Sequence, residues 1–230
     1  MSSNHIAGIP SGFAGLDNMT SGFQRSEFIV IGGRPSVGKT AIALSMAAFI
    51  SAKKIPLEFF TLEMSESALL KRMPELETHN KKSLFIIDTP GISLSALCAK
   101  ARLLKTHEKI EIIFIDYLPL IKSDTTGARP RSMHFKEVSQ SLKNLARELD
   151  IPIVALAQLG KAINDSDPKV SDIHEGRDIA RLADTIIFLI REKDSNKVTL
   201  RVAKHRNGET GDADMVFLPM SINKDKCFRQ

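Results

Sequence analysis

Two rhythms of apolar residues alternate along the first two thirds of the chain. Short, nearly continuous apolar runs occur at Glu27–Gly32 (EFIVIG), Leu57–Leu62 (LEFFTL), Leu84–Asp88 (LFIID), Ile110–Tyr117 (IEIIFIDY) and Pro152–Leu159 (PIVALAQL). Rich in β-branched and aromatic side chains and bounded by turn formers, they read as buried strands. Between them the spacing becomes helical. Lys39–Ala52 is alanine-rich, Ser65–Lys71 reads as a short helix, and Ser93–Thr106 sets Leu94, Leu97, Ala101 and Leu104 on one face. Phe135–Leu149 does the same through Val138, Leu142, Leu145 and Leu149. The run Ile110–Tyr117 is the most apolar of the strands, the pattern of a parallel strand covered on both faces, and is expected at the centre of the sheet.

Polar stretches divide these elements. Pro90–Gly91 marks a turn, while Ser123–Ser132 and Gly160–Gly176 lack apolar periodicity and read as loops. In the tail, Thr185–Arg191, Lys197–Lys204 and Asp214–Leu218 follow one another with turns in place of helices, so the sheet is expected to finish antiparallel. The order predicts an α/β fold with a mainly parallel central sheet flanked by helices, antiparallel C-terminal strands, and a ligand at the carboxyl edge of the parallel strands.

Length and composition narrow this only slightly. The 230 residues suit one domain, 43% are hydrophobic and 26% charged, and neither a repeat nor a low-complexity block is evident. Ala41–Ile50 is interrupted by Ser45 and too short to cross a bilayer, and no leader segment precedes it, so a cytoplasmic protein is expected. The two cysteines, Cys98 and Cys227, have no metal-site spacing and read as packing residues in a reducing compartment. A net charge of +5 permits a polyanionic partner. With no Trp and the single Tyr117, any binding of single-stranded nucleic acid would lean on phosphate contacts rather than base stacking.

Candidate chemistry begins where the first strand ends. Gly33-Arg34-Pro35-Ser36-Val37-Gly38-Lys39-Thr40 fills every position of a phosphate-binding loop in strand–loop–helix context. Its amides and the following helix N-terminus can face phosphate oxygens. Lys39 would reach the β- and γ-phosphates and the Thr40 hydroxyl would ligate Mg²⁺. Asp116 ends the most apolar strand, where its carboxylate would hold Mg²⁺ through water; a turn or capping aspartate is the competing reading. Glu63 ends another strand, where a carboxylate could polarise an attacking water, yet it reads almost as naturally as a surface glutamate opening a helix. Gln158 ends a third strand and could sense the γ-phosphate. Three polar residues ending three strands favour one shared site.

The segment Gly8–Thr40 closely resembles the start of the RecA-like motor domain of bacterial replicative DNA helicases, the DnaB family. The likeness continues at Thr61–Met64 (TLEM), Ile87–Gly91 (IDTPG), Ile115–Ile121 (IDYLPLI), Ser141–Ala146 (SLKNLA), Val154–Leu159 (VALAQL) and His205–Gly211 (HRNGETG). The resemblance implies a RecA-like P-loop NTPase that uses ATP and Mg²⁺. It gives Glu63 the water-activating role, Asp116 the Mg²⁺ role and Gln158 the γ-phosphate contact. Lys204 and Arg206 match a pair that reaches a neighbouring subunit's nucleotide; from the residues alone they are ordinary cations at a strand end. The implied assembly is a homohexameric ring around single-stranded DNA, with 5'-3' unwinding and a helicase loader or primase-like partner.

Departures from that pattern define the competing reading. Only Ser65–Ser83 separate TLEM from the next strand, a shorter interval than the family's, so a peripheral element is expected to be missing. Asp172–Asp184 resembles a DNA-facing loop, but His174 replaces an arginine, Arg177 stands at a glycine, and Ala180-Arg181 replace a Glu-Gln pair. Lys161, Lys169 and Arg177 are the candidate phosphate contacts for DNA, with solvated loop charge as the alternative. Because the likeness begins near residue 8, the family's N-terminal helical domain and linker helix are expected to be absent. A DNA-stimulated ring motor therefore competes with a nucleotide-dependent regulatory module that does not unwind. A recombinase-like or clock-like ATPase lacks support at TLEM and in the tail.

Overall fold

The computed structural model describes residues 7–72, 83–124, 130–160, 168–173, 176–191, 196–217 and 228–229. Within them a nine-stranded sheet carries the fold. Its strands are β1 (Phe28–Gly33), β2 (Leu57–Thr61), β3 (Leu84–Asp88), β4 (Ile112–Asp116), β5 (Ile153–Gln158), β6 (Thr185–Arg191), β7 (Lys197–His205), β8 (Gly211–Phe217) and β9 (Phe228–Arg229), in the spatial order β3-β2-β4-β5-β1-β6-β7-β8-β9. Pairings from β3 through β6 are parallel, and β6 to β9 are antiparallel. The expected mixed sheet is therefore present. The middle position belongs to β1 rather than β4, which lies two strands away. Apolarity on both faces is common to every interior parallel strand, so it does not rank one interior position above another.

Helices cover the two faces. Helices α1 (Ala14–Thr20), α2 (Lys39–Ala52) and α3 (Glu66–Arg72) pack with Ile29, Ile31, Phe59 and Phe114 on one side. On the other, α4 (Leu94–His107), α5 (Arg131–Leu149) and α6 (Gly176–Leu182) cover Phe28, Val30, Phe60 and Ile115. Successive residues of β1 thus enter opposite cores, as the two-residue period of a strand requires. Ser93 caps α4 by accepting a hydrogen bond from the Ala96 amide, and Leu94, Leu97 and Ala101 form its buried face, with Leu104 half-buried. Cys98 packs in the same core, while Cys227 lies outside the described residues.

Three helical features depart from the sequence reading. Helix α5 starts at Arg131, four residues before Phe135, because its first turn holds a single apolar residue, the exposed Met133, and carries no apolar rhythm. Helices α1 and α6 have seven residues each, too few for a period to be read from the pattern. Helix α6 occupies much of the segment expected to be a DNA-facing loop and packs against α5.

One core residue breaks the pattern. Glu58, in the middle of β2, is fully buried and neither carboxyl oxygen has a hydrogen-bond partner. Burial pushes its pKa up to about 8, with Lys100 opposing the shift. No helix among the described residues is long and apolar enough to cross a membrane.

Candidate functional site

Four adjacent parallel strands, β2, β4, β5 and β1, deliver their carboxyl ends to one edge of the sheet. At β1, Gly33 passes directly into the loop 34–38 and then α2. A Cβ on Gly33 would lie 2.8 Å from Val37 Cγ1, so only glycine lets the loop fold so tightly over the strand end. Ser36 (φ 61°) and Gly38 (φ 110°) take left-handed conformations that turn the loop into α2. Gly38 is the N-cap, and no side chain caps α2, so its first amides point along the helix axis towards the loop. That arrangement presents partial positive charge to an anion.

Lys39 opens α2. Its Nζ donates to Gly33 O at 3.0 Å and Arg34 O at 2.7 Å, which holds the ammonium inside the loop. Burial lowers its pKa, while the negative charges of Asp116 and Glu63 oppose that shift, so all three groups share one electrostatic environment. Asp116 is only 4% exposed at the end of β4. Burial raises its pKa to about 6 and the Glu63 charge adds to this; a hydrogen bond from Thr40 and the charges of Lys39 and Arg72 work against it.

The strand ends are tied together. Thr61 at the end of β2 pairs in register with Asp116, and the Leu62 amide donates to Asp116 O at 2.8 Å. Thr61 Oγ1 donates to Met64 O at 2.7 Å, closing the turn that carries Glu63, which is exposed. Gln158 pairs in register with Gly33, and the next amide, Leu159, donates to Gly33 O at 3.1 Å. Glu63, Asp116, Gln158 and the whole of Gly33–Thr40 therefore gather at one edge.

The Thr40 hydroxyl and the Asp116 carboxylate already meet. Among the described residues no group of three or more His, Cys, Asp and Glu side chains could cage a metal. One hydroxyl and one carboxylate suit a hard cation whose remaining ligands are phosphate oxygens and water, which is how Mg²⁺ is ordinarily held.

Lys204 and Arg206 stand elsewhere. In the antiparallel register Lys204 lies opposite Ile186 and His205 opposite Thr185, while Thr185 pairs with Ile29 and Leu189 with Gly33. Four residues of β1 separate that level from Gly33, about 13 Å at the rise of a strand. The pair is thus at the amino edge of the sheet, away from its own phosphate loop. Lys204 Nζ donates to Ala180 O (2.7 Å) and Ala183 O (2.6 Å) at the end of α6, and burial lowers its pKa. Arg206 is less enclosed: its side chain is 43% exposed, with Nη1 on Asp184 Oδ1 at 3.1 Å and Nη2 on Arg181 O at 2.8 Å.

Of the three DNA candidates, Lys169 alone has its side chain among the described residues. Lys169 is exposed and lines an open groove with Arg201, Ala203 and Thr210; its amide donates to Asp172 Oδ2 at 2.7 Å. Arg177 belongs to the first turn of α6, with its side chain outside the described residues, as is all of Lys161.

A phosphate loop, two strand-end carboxylates and a strand-end amide at one edge, with a cation pair at the opposite edge, is the arrangement against which relatives can be compared. The family described as "DnaB-like helicase C terminal domain" matches residues 8–80 and 73–224. The chain belongs to this family. Relatives include the "Replicative DNA helicase DnaB" of Treponema pallidum, 43% identical over 92% of this chain, and that of Geobacillus stearothermophilus, 38% identical over 93%. The chain spans about half the length of these relatives, 54% and 55%. Among solved structures, one described as an ATPase domain matches with a TM-score of 0.85 at 30% identity, covering 94% of this chain and 90% of that one. A structure described as a DnaB-like replicative helicase "And Its Interactions With Primase" matches with a TM-score of 0.84 at 31% identity, covering 93% and 60%. The RecA-like fold and the use of nucleotide follow from this membership. The two blocks of the DnaB-like match meet at residues 73–80, inside the interval that reads as shortened.

Two residues of consequence escaped the sequence reading. Lys143 is 7% exposed although it sits on an amphipathic helix where a charge signals a solvated face, and Asp184, 5% exposed, is its partner. Both fall inside stretches that carry the DnaB-like resemblance, but no local pattern marks an ion pair formed across 41 residues of sequence.

Proposed function

We propose that the chain is the ATP-hydrolysing motor domain of a ring-forming replicative DNA helicase, active at the interfaces between copies. The observation that carries this reading is the separation of the phosphate-loop cluster from Arg206 by the length of a strand. A cation that cannot serve its own nucleotide is suited to a neighbour's, and closed repetition of such a contact gives a ring, six-membered by likeness to the family. The strand passing through the ring would be single-stranded DNA, translocated 5'-3' in the cytoplasm, with a loader or primase-like protein as a further partner.

Within the site, the loop amides and Lys39 hold the β- and γ-phosphates of ATP. Thr40 and Asp116 would hold Mg²⁺, which supplies charge neutralisation between those phosphates. Glu63, exposed on its turn beside Asp116, orients and deprotonates the attacking water. Gln158, in register with Gly33, reads the presence of the γ-phosphate through its amide and passes it to the segment that follows β5. Arg206 of an adjacent copy, with Lys204 beside it, meets the charge that develops on the transferred phosphoryl group. Of the two, Arg206 has the freer side chain; Lys204 must first release the carbonyls of α6.

Steady-state hydrolysis with Mg²⁺, measured with and without single-stranded oligonucleotide at concentrations where the chain assembles, tests this reading. A stimulated rate is expected. Absence of hydrolysis by an assembled, nucleotide-bound chain would sink it. Hydrolysis that oligonucleotide leaves unchanged would favour the second reading, a nucleotide-dependent regulatory module, to which the shortened interval at Ser65–Ser83 points.

A further inference from the structure

Asp184 joins Arg206 to the strand that leads into the phosphate loop. It lies between α6 and β6 and is 5% exposed. Its Oδ2 accepts from the Phe28 amide at 2.8 Å and from Lys143 Nζ at 2.5 Å, and Lys143 also donates to Ser26 O at 2.9 Å. The backbone doubles the attachment: Asp184 N donates to Phe28 O at 2.8 Å, and Arg206 N donates to Asp184 O at 3.0 Å. With Oδ2 committed to this anchor, Oδ1 is turned to Arg206 Nη1 at 3.1 Å. The guanidinium is then held on its second side by Arg181 O.

The division of labour between the two oxygens has a chemical purpose. An arginine on a β-strand end has many rotamers, and a group that stabilises a transition state is most effective when it needs no reorganisation at the moment of reaction. A buried carboxylate fixed from the core by the Phe28 amide and the Lys143 ammonium is a rigid mount. Oδ1, by contrast, takes its donor from Arg206, whose side chain is 43% exposed, and not from the core. We propose that Asp184 is the positioning residue of the Arg206 finger, holding the guanidinium in the posture from which it meets the neighbouring copy's nucleotide. The inference rests on the trans role of Arg206. It further implies that the finger of each copy is mounted on the root of its own phosphate-loop strand, since Phe28 opens β1.

Substitution by asparagine separates mount from anchor. The amide orientation that keeps Oδ1 for the Phe28 amide and Lys143 presents an NH₂ group to Arg206, which has only donors to offer. Because Asp184→Asn also leaves the Lys143 charge without its counter-ion, a second form, Asp184→Asn with Lys143→Met, removes both charges together.

The test is complementation in mixed assemblies. The acceptor chain carries Arg206→Ala, so its own site is whole but it offers no finger. The donor carries Lys39→Ala, so its own site is dead but its finger is intact. Hydrolysis is expected to return on mixing. Donors that also carry Asp184→Asn, alone or with Lys143→Met, are checked by melting temperature and by the mass of the mixed assembly. They are expected to restore at least about tenfold less kcat while the acceptor's KM for ATP stays unchanged, because a finger acts in the transition state. If either such donor rescues as fully as the simple Lys39→Ala donor, Asp184 does not position the finger. If the simple donor itself fails to rescue, the trans role is wrong and the inference falls with it.

Discussion

The two edges of the sheet differ in how they were built and in how they can be read. At the carboxyl edge, the residues that gather around the phosphate loop end consecutive parallel strands or lie in one continuous segment, and their meeting follows from parallel pairing. At the amino edge, Asp184, Lys143 and Arg206 come from a loop, a helix and a hairpin, and meet because helix packing and the antiparallel β6–β7 register both bring the chain to the root of β1. The first kind of site is a property of a topology, the second of long-range packing. In the proposed function the division also separates roles: one edge would bind and cleave ATP, and the other would supply a charge it cannot use itself.

The largest effect that would break this division is at Arg206. Arg206→Ala is expected to lower kcat by about 10³- to 10⁵-fold with KM for ATP nearly unchanged, read by steady-state kinetics on the assembled chain. A large loss of affinity instead would mean that Arg206 serves its own fold or its own nucleotide. Next in size, Glu63→Ala should cost about 10²- to 10⁴-fold in turnover while nucleotide affinity, measured by titration, is retained. Affinity and turnover failing together would make Glu63 a structural residue of its turn, fixed by Thr61 and Met64.

Glu58 sharpens the comparison from within β2, because it is buried below the site without touching it. Its folded pKa is raised by burial from 4.5 to about 8. Below the lower value both states are protonated and neither is penalised. Between 4.5 and about 8 the unfolded chain ionises while the folded chain does not, so stability declines as pH rises and levels off above about 8. Glu58→Leu is expected to stabilise the fold by about 3 kcal/mol at pH 7 and to flatten this decline, followed by denaturant unfolding at several pH values. Hydrolysis should be untouched. The smallest effect is expected at Lys169: replacement by alanine should weaken oligonucleotide binding only a few-fold and reduce the salt slope by about 0.7 for a single phosphate contact, measured by titration at several salt concentrations.

Legibility followed the same division. Strands β3, β6 and the whole of α2 match their expected spans residue for residue, because apolar runs and a helix-forming stretch after the loop leave little choice. Glu63, Asp116 and Gln158 could be nominated from their places at strand ends alone. The short helices α1 and α6 were not legible, since each buries too few apolar residues to set a period. Nor was Lys143, whose buried charge is stabilised by a carboxylate distant in sequence. Lys204 and Arg206 were nominated only through family resemblance; by pattern they are cations at an edge, and the register puts them at the opposite end of the strands from their own loop.

The central claim, a site completed by a second copy, is tested most directly by measuring assembly mass and ATP turnover in the same samples across a dilution series with Mg²⁺ and oligonucleotide present. Turnover per chain should rise and fall with the fraction assembled and vanish with the monomer. A monomer that hydrolyses ATP at the full rate would contradict the claim, because Arg206 would then have no neighbour to serve.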